Sequence, residues 1–292
     1  MTTKPAVQLC VAGLVYFEVF VPAIGLPAAG EEIFVNDIRL GLGGALNTAS
    51  VASALGLSVR LAHPNGNGLS DIAIAQKISR LGISTLNWAS RADPAISLVF
   101  SGVDDRAFVS AADITALADC NTLPSATWIH VPGLLEARYL AKPLAVAKAK
   151  GARISVSGSW APDELAALSS LHGQPWDLLI LNAKEAQLAV GDARKAPDLL
   201  LGAASNVVVT DGANGAFAYL NGRHVSCSGV PVMARDFTGA GDAFCAGLLN
   251  YLIRHPLGDN ALAYACAVAS RLLTQAGGVV ENPAVLAGLE MK

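Results

Sequence analysis

The sequence predicts an α/β fold with a doubly wound, mostly parallel sheet that has helices packed against it. From about residue 126 onward, short apolar segments alternate with helical patterns, as expected for parallel strands joined by crossover helices. A second observation concerns four earlier segments, which are extended but half-polar and do not fit a buried sheet: 16–21, 33–40, 96–101 and 107–110. We expect these four segments to form a small separate β-sheet.

The small sheet is expected to project from the main body as a lid, with its strands within about 14–40 and 95–111. No long Pro/Ser-rich linker, internal repeat or low-complexity segment interrupts the chain. We therefore expect residues 1–292 to form a single domain.

The elements of the first half follow from apolar spacing and from Gly and Pro punctuation. Residues 41–47 are rich in glycine and are expected to form a loop that opens a helix ending at Gly56. The other expected elements are, in order, a buried strand 7–12, the half-polar segments 16–21 and 33–40, a strand 59–62, a helix 72–81, a strand 83–88 and a hairpin of 96–101 with 107–110.

The second half is expected to contain more buried strands and longer helices. Its strands are 127–131, 153–157, 178–181 and 207–210, followed by a hairpin of 216–220 with 224–226 around Asn221-Gly222. Its helices are 139–150, 163–170, one from 185 to about 190, one after residue 242 and one over 261–275.

Composition excludes several classes of protein. A net charge of −3 and the absence of a Lys/Arg-rich block argue against nucleic-acid binding. Five scattered cysteines without a CxxC pair predict neither a zinc site nor a disulfide framework. Such cysteine usage is typical of a reducing compartment, so we expect a cytoplasmic protein. Residues 5–30 carry Glu18 as their one charge, yet Gly and Pro interrupt them, so we expect a buried strand and no membrane span.

The segment 235–244 concentrates the residues most suited to chemistry. Gly239 and Gly241 flank Ala240 immediately before an apolar helical pattern, so bare backbone N–H groups at a helix start would favour an anion. Two carboxylates, Asp236 and Asp242, bracket this turn. From the residues alone, Asp242 is equally well explained as a first-turn helix acid or as a general base.

Three further motifs follow predicted strands, at the edge where α/β sheets bind ligands. They are Gly43-Gly44 with Asn47, Asn182 with Glu185, and Thr210-Asp211-Gly212. Each has a purely structural explanation: a tight turn, a helix cap, a capping box or a strand-ending turn. Their convergence at one edge is more informative than any single motif.

Together, these motifs resemble the signatures of the ribokinase/PfkB family of carbohydrate kinases. Segment 236–244 resembles its C-terminal signature, and residues 30–56 resemble its N-terminal signature. Asn182 to Glu185 is similar to its Asn-x-x-Glu motif, and residues 208–215 resemble the strand and turn that contact the nucleotide. The motifs occur in family order over nearly the whole chain, and the resemblance implies a ribokinase-like αβα sandwich with a β-lid.

The resemblance implies transfer of a phosphoryl group from ATP to a hydroxyl, expected to be primary, of a sugar or sugar derivative. Asp242 matches the general base, and the N–H groups of Gly239, Ala240 and Gly241 match the anion hole. Asn182, Thr210, Gly212, Gly215 and Gly241 are the residues expected to bind the nucleotide. Glu185 matches a group that organises Mg²⁺, through water.

The acceptor and a second cation are implied less directly. The residues expected to contact the acceptor are Glu18, Gly43, Gly44, Asn47 and Asp242, and Glu18 stands where the family usually has Asp. Asp236 and the carbonyl of Thr238 match a loop that binds a monovalent cation, K⁺, in part of the family.

Two other functions stay open. A nucleoside kinase of the same family would need an apolar slot for the base, which aromatic residues near the lid would supply. A non-catalytic sugar or nucleotide sensor would bind without phosphoryl transfer. An exposed edge of the lid sheet would also allow two copies of the chain to pair as a homodimer.

Overall fold

The fold is described from a computed structural model that covers residues 7–22, 27–101, 106–255 and 260–291. Nine strands form one large sheet in the order β13-β12-β11-β10-β9-β8-β1-β4-β5. These strands are β1 Val7–Ala12, β4 Val59–Asn65, β5 Ser84–Ala89, β8 Ala126–Val131, β9 Arg153–Ser157, β10 Leu178–Asn182, β11 Val207–Thr210, β12 Ala216–Leu220 and β13 Arg223–Cys227. All neighbours pair in parallel except β12 with β11 and with β13.

Helices cover both faces of this sheet. Alternating residues of β1 point to opposite sides: Leu9 and Val11 belong to one apolar core, and Cys10 and Ala12 to the other. The first core is covered by α1 Ala45–Ala54, α2 Leu69–Arg80, α8 Ala240–Arg254 and α9 Asn260–Leu272. The second is covered by α3 Leu134–Tyr139, α4 Ala141–Ala149, α5 Pro162–Ala167, α6 Ala183–Val190 and α7 Ala196–Leu199. The predicted α/β fold class is confirmed.

A second sheet of four strands has the order β3-β2-β6-β7. Its strands are β2 Val15–Pro22, β3 Arg39–Gly44, β6 Ala95–Ser101 and β7 Arg106–Ala112. The small separate sheet expected from half-polar patterning is therefore present. Residues 102–105, in the predicted hairpin turn, lie outside the described residues.

One prediction in this sheet is wrong. The strand expected over 33–40 lies further along the chain, as β3. Segment 33–40 shares only two residues with β3, and the glycines expected to form a loop pair with β2, as Gly43 does with Tyr16. Their missing side chains make room for β2, since a Cβ on Gly43 would lie 2.1 Å from Glu18 Oε1. Glycine was thus required by a close strand contact rather than by a turn.

None of the helices within the described parts of the chain combines the length and apolarity that crossing a bilayer would require. Most of the other predicted elements agree with the observed ones to within a few residues. However, α3 Leu134–Tyr139 precedes the helix predicted over 139–150, and α7 Ala196–Leu199 was not predicted. Helix α1 begins at Ala45, so that Asn47 lies inside its first turn.

Candidate active site

The start of α8 is held in an unusual backbone conformation. Gly239 caps the helix with φ 75°, and a Cβ there would lie 2.6 Å from the Cα of Gly278. A side chain is therefore excluded both by the left-handed backbone and by the neighbouring loop. The first N–H groups of this 15-residue helix have no intrahelical acceptor, so this end of α8 is suited to bind an anion.

Asp236 fixes the turn that precedes α8. Its Oδ1 accepts from the backbone N–H (2.9 Å) and the hydroxyl (2.5 Å) of Thr238, and its Oδ2 accepts from the N–H of Gly277 (2.8 Å). The guanidinium of Arg39, on strand β3, donates to the same Oδ2 at 3.1 Å. One carboxylate thus joins the turn, the loop at Gly277 and the small sheet.

Asp242 lies in the first turn of α8 and is held from α1. Its Oδ2 accepts from Asn47 Nδ2 at 3.0 Å, and its Oδ1 accepts from Thr48 Oγ1 at 3.2 Å. Burial raises the pKa of the Asp242 carboxyl to about 6, against these two hydrogen bonds, which lower it. At neutral pH the group is mostly ionised but close to its pKa, as a general base requires.

Glu136, on α3, is a second buried carboxyl near Asp242, and sequence reasoning missed it. Its Oε1 accepts from the N–H of Leu14 at 2.8 Å. Burial raises its pKa to about 7, the Leu14 hydrogen bond opposes the shift, and the charge of Asp242 adds to it. The available signal was Pro132-Gly133 at the end of β8, another strand end at the ligand-binding edge.

Asn182 and Glu185 form the capping box that was one interpretation of their spacing. The N–H of Glu185 donates to Asn182 Oδ1 at 2.8 Å, and the N–H of Asn182 donates to Glu185 Oε2 at 2.9 Å. Glu185 is buried, which raises its pKa, and the Asn182 hydrogen bond opposes that shift. A Cβ on Gly158 would lie 2.3 Å from Glu185 Oε2, so a glycine makes room for this carboxylate.

Three cavities adjoin one another around the start of α8, and we number them by position. The first, of about 660 Å³, is largely apolar, and its walls include Thr210, Gly212, Gly215, Phe237, Ala269 and Leu273. The second, of about 260 Å³, is lined by Asn182, Glu185, Gly239, Ala240, Gly241 and Asp242 among others. The third, of about 240 Å³, includes Tyr16, Gly44, Glu136, Trp160 and Asp242 in its walls. Neighbouring cavities share wall residues: Gly241 belongs to the first and second, and Asp242 to the second and third.

The predicted nucleotide-binding residues all line the first or second cavity. Of the predicted acceptor-binding residues, Gly44 and Asp242 line the third cavity, whereas Glu18, Gly43 and Asn47 are not in its walls. The Glu18 carboxylate lies against Gly43, and the Asn47 side chain, 5% exposed, contacts Asp242. Asn47 and Thr48 therefore hold the Asp242 carboxylate from α1, outside the walls of the third cavity. Sequence reasoning missed Thr48.

The two cations implied by the resemblance differ in how well the residues fit them. Glu185 fits Mg²⁺, because a single buried carboxylate in the wall of the second cavity would bind an ion that keeps most of its water and phosphate ligands. No cluster of three or more His, Cys, Asp or Glu residues is present in the described residues. K⁺ fits poorly at Asp236 and Thr238, because the guanidinium of Arg39 already compensates the Asp236 carboxylate.

Solved structures share this fold over nearly the whole chain. A nucleoside kinase from Methanocaldococcus jannaschii has a TM-score of 0.78 at 17% identity and covers 97% of this chain and 98% of its own. A ribokinase from Cryptococcus neoformans in complex with ADP has a TM-score of 0.77 at 19% identity, covering 97% and 99%. An Arabidopsis thaliana ribokinase complexed with ribose and ATP has a TM-score of 0.76 at 18% identity, covering 99% and 100%. At these identities the likeness establishes the fold alone.

Sequence comparison finds one match of higher identity over a shorter stretch of the chain. It also identifies the family. A fructokinase from Klebsiella pneumoniae is 46% identical over 74 residues, which span 25% of this chain and 22% of that protein's length. The model of the pfkB family carbohydrate kinases matches residues 8–284. This chain therefore belongs to the PfkB family of carbohydrate kinases.

Proposed function

We propose that the protein transfers the γ-phosphoryl group of ATP to a hydroxyl, preferably a primary one, of a sugar or sugar derivative. The observation that carries this proposal is the position of Asp242, which lies in the walls of both the second and the third cavity. A carboxylate at that junction would contact an acceptor on one side and a phosphoryl group on the other.

The donor would lie across the first two cavities. The apolar walls of the first cavity suit an adenine ring, and Thr210, Gly212 and Gly215 lie where a nucleotide would pass. Its phosphates would then reach the second cavity and the N–H groups at the start of α8. Mg²⁺ near Glu185 would neutralise charge on those phosphates.

Transfer would use Asp242 and the anion-binding turn. Asp242 takes the proton from the acceptor hydroxyl while the hydroxyl oxygen bonds to the γ-phosphorus and the bond from that phosphorus to the ADP oxygen breaks. The N–H groups of Gly239, Ala240 and Gly241 receive the charge on the transferring group. Asn47 and Thr48 keep both oxygens of Asp242 oriented during this step.

Replacing Asp242 with Asn tests the proposal. We expect retained ATP binding and a fall of about 10²-fold or more in kcat. Asp163→Asn is the matched control, because Asp163 is also a first-turn helix acid but is exposed on α5. An unchanged kcat in Asp242→Asn, or an equal fall in both variants, would remove Asp242 from the mechanism. Binding of both ligands without turnover in the wild type would instead favour a sensor.

A nucleoside kinase remains the second candidate, and one observation favours it. Tyr16 and Trp160 both line the third cavity, where aromatic side chains would stack on a nucleobase as well as on a sugar ring. Measuring ATP consumption with a panel of sugars and nucleosides separates the two functions. Turnover confined to nucleosides would overturn our first choice.

We also propose that two copies pair through the small sheet. Leu40, Val19, Leu98 and Val109 form one register row across its four strands. Leu40 is 62% exposed and Val109 61%, so the row leaves an apolar stripe in water. Sedimentation of the wild type should show a dimer and that of Leu98→Glu a monomer, with Leu69→Glu, another exposed leucine, as control. A monomeric wild type would exclude the pairing.

A further inference from the structure

The walls of the third cavity carry acidic side chains. Its walls contain two carboxyl groups, Glu136 and Asp242, and none of the described residues that line it is Lys, Arg or His. An anionic group on an occupant would therefore meet negative charge and no cation among the described wall residues. The charge of the cavity would therefore influence which sugars can enter.

Two glycines lie close to the carboxyl of Glu136, one beside each oxygen. A Cβ on Gly13 would lie 2.9 Å from Glu136 Oε1, and a Cβ on Gly133 would lie 3.0 Å from Oε2. Oε1 accepts from the N–H of Leu14, and Glu136 as a whole is 8% exposed. This leaves Oε2 as the oxygen that can accept a hydrogen bond from an occupant of the cavity.

We propose that Glu136 determines acceptor specificity: it accepts a hydrogen bond from an acceptor hydroxyl and excludes acceptors that carry a carboxylate or a phosphate. The inference rests on the proposed kinase function and narrows its acceptor to uncharged sugars. Two unit charges about 5 Å apart near a protein surface repel strongly enough to weaken binding on the order of 10²-fold. An uncharged sugar avoids this repulsion and can also donate a hydrogen bond to Glu136 Oε2.

The test compares a neutral hexose, the matching uronic acid and the matching hexose phosphate as acceptors at about pH 8.5, where the Glu136 carboxyl, whose pKa is raised to about 7, is ionised. For the wild type we expect kcat/KM to be at least about 10²-fold lower for both anionic sugars. In Glu136→Gln the amide keeps the size of the side chain but not its charge, so this ratio should shrink by about 10-fold. The loss for the neutral hexose should lie in KM rather than in kcat. Glu281→Gln, which alters an exposed carboxylate, is the control.

Several outcomes would overturn the inference. Wild-type preference for an anionic acceptor would contradict it while leaving the kinase function intact. An unchanged ratio in Glu136→Gln would remove Glu136 as its cause. Failure of the kinase function gives a different result, no turnover with any acceptor. Calorimetric binding of the same three sugars then tests the charge preference directly, and equal or tighter binding of the anionic sugars would contradict it.

A second, independent observation concerns Arg39. Its guanidinium lies 3.1 Å from Asp236 Oδ2 and 4.0 Å from the centre of the Phe20 ring, so the small sheet holds it in place. A Cβ on Gly277 would lie 3.3 Å from Arg39 Nη1, which places the guanidinium against the same loop that donates to Asp236. A fixed cation therefore sits beside the turn that leads into α8.

We infer that Arg39 is a positioning residue that does the work of a monovalent cation, so that activity does not depend on K⁺. It acts through Asp236, whose carboxylate orders the N–H and hydroxyl of Thr238 and so the turn at Gly239. Removing the guanidinium would take its positive charge away from Asp236 and would allow a dissolved cation to replace it.

Monovalent-cation dependence separates this role from a merely structural one. Wild-type rates should be equal in KCl and tetramethylammonium chloride at the same ionic strength. In Arg39→Met we expect a fall in kcat of about 10-fold or more that K⁺ or guanidinium partly restores. Arg80→Met, which removes an exposed arginine at the end of α2, should behave as the wild type. A K⁺-dependent wild type, or an Arg39→Met variant that neither added cation restores, would overturn the inference.

Discussion

In the donor half of the proposed site, made of the first and second cavities, phosphates would meet mainly main chain. The contacts proposed there come from the N–H groups of Gly239, Ala240 and Gly241 and from the apolar wall of the first cavity. In the acceptor half, the third cavity, a sugar would meet side chains. Tyr16, Glu136, Trp160 and Asp242 come from four different parts of the chain.

The donor half would therefore carry the chemistry of transfer, and the acceptor half would determine which acceptor binds. A main-chain anion site depends on local backbone conformation, so a single contiguous segment specifies it. A side-chain site depends on distant segments that the topology brings together, and each can change without altering the others. Predictions that disturb one half should therefore leave the other half measurable.

The largest effect is expected where the donor half is most constrained, at Gly239. In Gly239→Ala the new Cβ would meet Gly278 and the residue would need a left-handed backbone. We expect kcat to fall about 10²-fold or more, because the anion-binding N–H groups would move, with a loss of about 1–3 kcal/mol in the free energy of unfolding.

Gly82→Ala is the matched control, because Gly82 also has positive φ (66°) but a Cβ there meets nothing within 4 Å. It should cost about 1 kcal/mol of stability and leave kcat unchanged. Equal losses of kcat in the two variants would show that the close approach of Gly278 does not matter.

The same contrast explains what the sequence could and could not reveal. The turn at Gly239, the strand alternation and Asp242 were predictable because spacing within one segment carries the information. Glu136 and Thr48 were not, because a carboxyl on α3 and a hydroxyl on α1 have no local pattern that marks them as neighbours of Asp242. The glycines of β3 were misassigned to a loop because composition cannot distinguish a turn from a strand pressed against Glu18.

A smaller effect is expected from filling the first cavity. Ala269→Phe would place a ring where adenine is proposed to bind, so the KM for ATP should rise about 10-fold while the acceptor KM changes little. Ala263→Phe, on the exposed face of the same helix, is the control and should leave both constants unchanged. A rise in the acceptor KM alone would exclude the first cavity as the donor site.

Glu185 offers a test of its two roles that keeps the fold intact. Gln also completes a capping box, so Glu185→Gln should retain the helix cap and remove only the charge. We expect the Mg²⁺ concentration needed for half-maximal activity to rise several-fold, with a change of less than about 0.5 kcal/mol in stability. Glu164→Gln, which removes a first-turn carboxylate of α5 away from the site, is the control and should leave the Mg²⁺ titration unchanged. An unaltered Mg²⁺ titration would leave capping as the role of Glu185.

The smallest effect probes how the hydrogen bond from Thr48 shifts the pKa of Asp242. Because the pKa of Asp242 is raised to about 6 and the base must be ionised, wild-type kcat/KM should fall as the pH drops through about 6. Thr48 Oγ1 donates to the ionised carboxylate and so lowers this pKa, which means that Thr48→Val should move the acid limb upward by roughly half a pH unit to one unit. Ser53→Ala, on the same helix, should leave the limb in place. A shift to lower pH in Thr48→Val would contradict the assigned hydrogen bond, because loss of a donor can only make an ionised carboxylate less stable.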